Sequence, residues 1–509
     1  MKNTLMKDLF RAALLAALSF GAGCATSSPD SETPGGGTGT GPDSGTGTTV
    51  ADDRELKEWM FDYMRDRYLW NDAAARVTPD YTLGYEAFLT KILEDIAAQE
   101  DVNHDDGHWV DGVRQYFYSN IVRYETDASD ARATRGVRET SDDAGFAYLY
   151  YMYRDQTRTD CLLLVGGVSP FSPAGKAGLR RGDCIEKVDG ESFDASQIDA
   201  VYNRVVNPEG EVTLSLLANG DQPAREITYR RESYEDNPVW KVSTLTTPGG
   251  RQVGYLCYNS FNYYYDDELL EAFSTLREAD VEDLVLDLRY NGGGHVVSSL
   301  LIGTAVAGEA HRDEVYMRSV INASREASGE SGDVYRIGAA DFGSGRYDKT
   351  VSALDVSLGL PRVYVLCKEQ TASASELVIN GLRGLGIDVR LVGSVTNGKN
   401  VGMEIDSRIF DGYEYDFSPI TFYSENALGF HDYGDGFTPD VEASEGSLAI
   451  ADWGDPDDGL LALALAWIDT GQKPSVDTRA VRSGAARMAL PAPERPLQGM
   501  IAQRDFPQP

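Results

Sequence analysis

The chain has 509 residues, 42% hydrophobic and 25% charged, enough for several domains and at least one sizeable core. Its 81 acidic residues against 46 basic ones give a formal charge of −35, which makes nucleic acid and anionic lipid surfaces poor partners.

Residues 1–23 read as a signal peptide: Lys2 and Lys7 give a basic start, and "LFRAALLAALSFGAG" is an apolar run too short for a comfortable membrane span. Gly21, Ala22 and Gly23 before Cys24 resemble a bacterial lipoprotein box, which implies lipidation at Cys24, although Gly21 stands where leucine is usual. Residues 24–50 carry almost nothing apolar to offset ordering entropy, so a lipid-anchored flexible tether is expected. The expected location is the cell envelope, with an exported lipoprotein anchored on the periplasmic side or at an outer membrane. Cys161, Cys184, Cys257 and Cys367 lie in apolar, strand-like runs and read as buried thiols, with a Cys161–Cys184 bridge permitted.

Residues 51–138 form a helical N-terminal domain by pattern, with Leu56, Met60, Tyr63, Met64 and Tyr68 at three- and four-residue spacing. Within it, "DVNHDDGHWVDG" (101–112) pairs His104 and His108 at i, i+4. It lacks the glutamate of a zinc helix and the spacing of a calcium loop, so a solvated acidic loop is expected and no metal site.

Residues 139–236 are β-rich. "SPAGKAGLRRGDCIEKVDG" closely resembles a PDZ domain, which implies that the loop around Gly145, Phe146 and Ala147 receives a peptide carboxylate while the peptide adds a strand to the sheet edge. A facing helix is expected to begin near Ser196. Residues 237–472 alternate apolar strands and helices, the mark of a mainly parallel sheet covered by helices. Residues 473–509, rich in Ala, Pro and Arg, read as a loosely ordered tail.

Within "KEQTASASELVING" (368–381), Ser373 falls at a strand-to-helix junction on the carboxyl side of the sheet, where α/β sites collect. Ser373 and Glu376 also fit a capping box, so a purely structural serine is the competing reading. Two distant stretches bear on the choice: "DLRYNGGGHV" (287–296), whose glycines let the backbone approach a ligand, and "LVGSVTNGKNVG" (391–402), with a lone lysine after a strand and turn.

In this order and behind a PDZ-like segment, these motifs resemble the C-terminal processing (tail-specific) peptidases. "TASASE" is similar to their "SASASE", "DLRYNGGG" to "DLRNNPGG", "GSVTNGKNVG" to "GEPTFGKGTVQ", and "GDGFTPDV" to a late "G-I-x-P-D-V". The likeness covers about residues 140–445. It implies a multi-domain α/β protein with a crotonase/ClpP-like protease core, and a serine endopeptidase that captures unstructured C-termini. Carried over by position, Ser373 is the nucleophile, Lys399 the base and Glu376 an acid near the lysine. Ala374 with Gly293 or Gly294 would form the oxyanion hole. No metal, ATP or other cofactor is implied. Met403 stands where some members carry glutamine, so lysine positioning must come from elsewhere.

A lysine base must fall from its usual ~10.4 to roughly 7–8, which desolvation alone suffices to produce. A close Glu376 carboxylate would oppose that shift. His295, directly after the glycines, offers a competing serine–histidine pair. The tyrosines of "YNSFNYYYDDELL" (258–270) read as core and loop, some of them able to line a cleft. Two further functional classes are a catalytically weak peptide-binding scaffold and, because the peptidase core resembles the crotonase fold, an acyl-CoA enzyme.

Overall fold

The computed structural model describes residues 53–99, 106–110, 113–125, 140–153, 160–219, 222–342, 345–476, 487–489 and 500–501. The signal segment, Cys24, the tether and His104 lie outside these residues.

The N-terminal region holds helices α1 (Arg54–Arg67) and α2 (Tyr85–Ala97), then a hairpin (His108–Val110 with Val113–Tyr116) and strand β1 (Asn120–Glu125). The PDZ-like region follows with β2 (Phe146–Tyr153), β3 (Cys161–Val168) and helix α3 (Ile198–Val206). Strands Thr140–Asp143 and Glu232–Glu235 pair antiparallel at its two ends. The core comprises β4 (Val239–Thr246), β5 (Gln252–Tyr258), α4 (Asp266–Glu278), β6 (Asp283–Asp287), α5 (Val296–Ala307), β7 (Arg362–Cys367), α6 (Ala374–Gly384) and β8 (Asp388–Gly393). It continues with β9 (Val401–Met403), β10 (Tyr413–Ser418), β11 (Ile420–Glu425), β12 (Val441–Glu442) and α7 (Gly459–Thr470), and the tail adds β13 (Arg487–Ala489) and β14 (Met500–Ile501).

The central sheet runs β4-β5-β6-β7-β8-β12, with β4 antiparallel to β5 and the remaining neighbours parallel. All five residues of β6 and all twelve of α5 are buried. A parallel sheet is covered on both faces, so its strands read as continuous apolar runs rather than alternating ones.

The N-terminal region departs from a self-contained helical domain. Leu56, Met60 and Met64 of α1 and Phe88 and Ile92 of α2 share one cluster with Val401, Met403, Phe417 and Ile420, and β1 pairs with β10. Met403 is thus a core residue under these helices, which explains an apolar side chain there. The acidic-loop expectation fails at Asp106, which is fully buried; His108, also expected in that loop, stacks on Tyr116 at 5.4 Å between ring centroids.

The PDZ-like sheet runs β13-β2-β3 and then through strands Cys184–Val188, Glu211–Leu216 and Arg225–Arg230. It is joined to the core by a buried ionic cluster. Arg181 donates to Glu445 and Asp458, each at 2.6 Å, while Arg289 bonds Asp287, Glu445 and Asp458. Lys368 reaches Glu445 at 2.8 Å. Trp453 covers the Arg181 guanidinium at 4.7 Å.

The four described cysteines are thiols outside any disulfide, so Cys161 and Cys184 are not bridged to each other. Among the described residues no helix is long and apolar enough to cross a membrane. Within the tail, expected to be loosely ordered, β13 and β14 each pair with another strand.

Candidate active site

Three loops at the carboxyl ends of the central strands meet through backbone hydrogen bonds. The first follows β7. Thr371 Oγ1 donates to Leu288 O at 2.8 Å and accepts from Lys368 N–H at 2.9 Å, folding residues 368–372 back toward β6. Ser373 then turns the chain into α6 at φ 60° and ψ −111°. That conformation costs a non-glycine residue about 1–3 kcal/mol. The turn has the strained strand-to-helix character of a nucleophile elbow, without the G-x-S-x-G letters.

The two serines of the motif separate cleanly. Ser375 Oγ donates to Asn291 O at 2.9 Å, a structural bond. Ser373 is fully buried, and its Oγ has no hydrogen-bond partner. The outline of a capping box is present, with the Glu376 carboxylate accepting Ser373 N–H at 2.9 Å, but the hydroxyl itself is unengaged.

The second loop is 291–294. Asn291 O accepts Ala372 N–H at 3.1 Å, and its Nδ2 donates to Tyr258 O at 2.9 Å, tying the glycines to the serine turn. Gly293 and Gly294 have φ of 108° and 134°, and a Cβ on Gly294 would stand 2.2 Å from Phe261 O. Glycine is required here for both reasons. Of the two candidate donors, Gly293 N–H is already bonded to Asn291 Oδ1 at 2.9 Å. Gly294 N–H and Ala374 N–H make no hydrogen bond within the described residues. Ala374 is the first residue of α6, where free N–H groups and the helix dipole favour a negative oxygen.

The third loop carries Lys399. Asn397 N–H bonds Thr371 O at 3.0 Å. Glu376 gathers the rest. Its Oε1 accepts Thr396 Oγ1 at 2.6 Å and Gly398 N–H at 2.7 Å, and its Oε2 accepts Lys399 N–H at 2.8 Å together with Ser373 N–H. One carboxylate oxygen therefore holds the backbones of Ser373 and Lys399 within two hydrogen-bond lengths of each other. Phe437 N–H donates to Thr396 Oγ1 at 2.7 Å, so the "GDGFTPDV" stretch braces the same loop.

Lys399 is 1% exposed and has no ion-pair partner among the described residues; its Nζ lies 4.5 Å from the Tyr118 ring centroid. Burial lowers its pKa from 10.5 to about 8, against the opposing charges of Asp106 and Glu376. Glu376 is raised to about 7 by burial, while its four bonds oppose the shift. Every partner donates, and three are backbone N–H groups that cannot accept, so the geometry favours the carboxylate. Glu376 thus orders the backbone of the site rather than pairing with the amine.

Asp106 and Tyr118 were not legible as site residues. Asp106 accepts Tyr118 N–H at 3.0 Å, Ser119 N–H at 2.9 Å, Ser119 Oγ at 2.5 Å and Tyr68 Oη at 2.8 Å. Tyr118 Oη donates to Asn397 Oδ1 at 2.9 Å, bringing this N-terminal segment onto the lysine loop. The sequence signal for both was slight, an acidic stretch and one tyrosine among 28.

The rival base is arranged otherwise. His295 Nδ1 lies 2.9 Å from Phe261 O, burial lowers its pKa to about 4, and it has no hydrogen bond to Ser373. Tyr258, Tyr263 and Tyr265 are buried core rings. In the PDZ-like region, Gly145 has φ 90° and Phe146 is in the domain core. Gly145 N–H donates to Asp143 Oδ1 at 2.6 Å, so one expected carboxylate donor is already occupied.

Comparison with known proteins agrees with this layout. Residues 252–443 match the model of Peptidase family S41, residues 164–218 that of a PDZ domain, and residues 55–109 that of the Peptidase S41 N-terminal domain. The chain is 32% identical over 136 residues to carboxyl-terminal-processing peptidase 2, chloroplastic, of Arabidopsis thaliana, 26% of each chain. It is 27% identical over 231 residues to the carboxyl-terminal-processing protease of Synechocystis sp., covering 45% of this chain and 48% of that one. The chain thus spans between about a quarter and half the length of these curated relatives. A Bacteroides fragilis protein crystallised as an S41 protease aligns with a TM-score of 0.62 at 25% identity, over 81% of this chain and 97% of that one. With the three matched segments in order along one fold, residues 252–443 form a peptidase family S41 domain, preceded by a PDZ domain at 164–218 and an S41 N-terminal domain at 55–109.

Proposed function

We propose that the protein is a serine endopeptidase that hydrolyses peptide bonds of unstructured protein or peptide substrates by acyl transfer, with Ser373 as nucleophile and Lys399 as base. The observation that carries the reading is a strained, buried serine whose hydroxyl is unengaged, tied through Glu376 to the loop of a desolvated lysine. A neutral Lys399 amine takes the Ser373 Oγ proton as the oxygen attacks the carbonyl carbon, then returns it to the leaving amine. The Ala374 and Gly294 N–H groups receive the negative oxygen. Water repeats the cycle on the acyl ester. The Ser373–Lys399 hydrogen bond is absent in this resting geometry and forms once substrate fills the site.

The PDZ-like sheet delivers the substrate chain by strand addition, with free, disordered C-termini the ligand class its resemblance implies. Residues 1–24 carry an export and lipidation pattern, so the enzyme works in the cell envelope, held there through Cys24.

The test is incubation of purified protein with a disordered polypeptide, mapping new termini by mass spectrometry. Ser373→Ala and Lys399→Ala each lower the rate at least ~100-fold, the scale expected for loss of a nucleophile or its base. Full activity in folded Lys399→Ala removes lysine as base.

A further inference from the structure

The outer edge of β2 is occupied by the chain itself. Residues 487–489 pair with it antiparallel, Arg487 opposite Met152, Met488 opposite Tyr151 and Ala489 opposite Tyr150. The tail's C-terminal direction therefore runs toward the Gly145 turn that opens β2. This is the polarity of a peptide adding to a PDZ edge with its C-terminal end at that turn. Tyr151 and, from α3, Ile198, Val201 and Tyr202 are half-buried apolar side chains packed on the same domain core.

The turn itself is poorly suited to a terminal carboxylate. Gly145 N–H is held by Asp143 Oδ1, which also accepts the Tyr234 hydroxyl at 2.9 Å. An incoming carboxylate would meet a like charge at its binding donor, whereas a chain that continues past the turn brings none. Residues 487–489 are such an internal segment. The chain goes on to β14, which pairs in parallel with β9, Met500 opposite Gly402 and Ile501 opposite Met403. Gly402 lies three residues beyond Lys399. The tail thus covers two strand edges in succession, one on the PDZ-like sheet and one leading directly from the lysine loop.

We infer that the β2 edge is a docking surface for internal extended segments rather than free C-termini, and that residues 487–489 are its resident ligand, which a substrate segment must displace. The inference rests on the PDZ-like delivery role proposed above but not on Ser373–Lys399 chemistry. Exposed edges invite strand addition, and an intramolecular strand is present at high effective concentration, so it competes strongly against a ligand in solution.

The experiment uses the Ser373→Ala protein, full length and truncated after Val476. The probes are fluorescent peptides: residues 483–494 with an amidated end, and residues 478–489 ending in a free carboxylate. The truncated chain should bind the amidated peptide at least ~10-fold tighter than the full chain, and the free-acid peptide no tighter than the amidated one. Equal binding by both chains overturns the resident-ligand reading, and ~10-fold preference for the free acid overturns the internal-segment reading. Should truncation impair folding, Met488→Pro in the full chain fixes φ in the middle residue of the three-residue pairing and weakens it. Faster hydrogen exchange at the amides of residues 149–152 is then expected, and unchanged exchange overturns the inference. Tail displacement without any proteolysis in the Ser373-containing protein would leave this docking surface standing and sink the peptidase.

Discussion

Asp106→Asn offers a direct probe of what sets the pKa of Lys399, the proposed base. The Asp106 carboxylate is the larger of the two charges opposing the lowered pKa of Lys399. Its oxygens divide their partners conveniently: Oδ1 takes the Tyr118 and Ser119 N–H groups, and Oδ2 takes the Tyr68 and Ser119 hydroxyls. Asparagine can keep its oxygen on the amides and turn its NH2 to the two hydroxyls, which are able to accept, so the substitution removes charge while preserving shape. Asp106 Oδ1 accepts the Tyr118 N–H at 3.0 Å and Lys399 Nζ sits 4.5 Å from the centroid of the Tyr118 ring, so a Coulomb estimate takes the two charges as on the order of 6–12 Å apart. At an effective dielectric of about 20, one charge over that span is worth about 1.4–2.8 kcal/mol, or about one to two pKa units. As the proposed base, Lys399 must be neutral to act, which puts the expected acid limb of kcat/KM near its pKa of about 8. In Asp106→Asn the limb moves to lower pH, toward about 6–7. The assay is the pH profile of kcat/KM on a peptide substrate, with circular dichroism to confirm the fold. An unmoved limb, or one displaced to higher pH, in a folded variant would refute this account of the base.

Other outcomes follow from the same geometry. Lys399→Met should stabilise the protein at pH 7 by about 3 kcal/mol, since a lowered lysine pKa means that the unfolded chain binds more protons; the gain shrinks as pH rises from about 8 to about 10.5, as measured by urea unfolding at several pH values. Ser373→Gly should abolish turnover and raise stability by about 1 kcal/mol, because glycine adopts φ 60° without strain; a loss of stability would mean that the hydroxyl holds the turn. Glu445→Gln should cost about 3–5 kcal/mol by leaving Arg181, Arg289 and Lys368 undercompensated in a buried site. Burial alone would raise the Glu445 pKa, but Lys368, Arg181 and Arg289 hold it well below the usual value; the native advantage is therefore full above about pH 4.5 and fades as pH falls further. Gly294→Ala should lower kcat at least ~10-fold with little change in KM, since its Cβ would strike Phe261 O and move a proposed oxyanion donor.

Much of the core was readable because its signals are local. Apolar β6 and β7, amphipathic α6 and the glycines at 292–294 declare a covered parallel sheet with loops at its carboxyl ends. The resemblance then singled out Ser373, Glu376 and Lys399. The helical reading of residues 54–67 was also sound, since Leu56, Met60 and Met64 form one buried stripe. That the N-terminal region packs on the core was not readable, because Val401, Met403, Tyr415, Phe417 and Ile420, far along the chain, join that stripe in one cluster. Local periodicity reports that a face is buried, not what buries it.

By itself the sequence determined the chemistry-bearing residue types, their order and the secondary structure that presents them, since these follow from neighbours a few positions apart. The tertiary structure alone decided that Ser375 is structural while Ser373 is free, and that Glu376 orders two backbones instead of neutralising an amine. It also decided that Asp106 lies buried near the lysine and that the tail occupies the β2 edge. Each depends on which groups donate to which across hundreds of residues and on how much water remains between them, and burial and electrostatics are properties of the packed molecule.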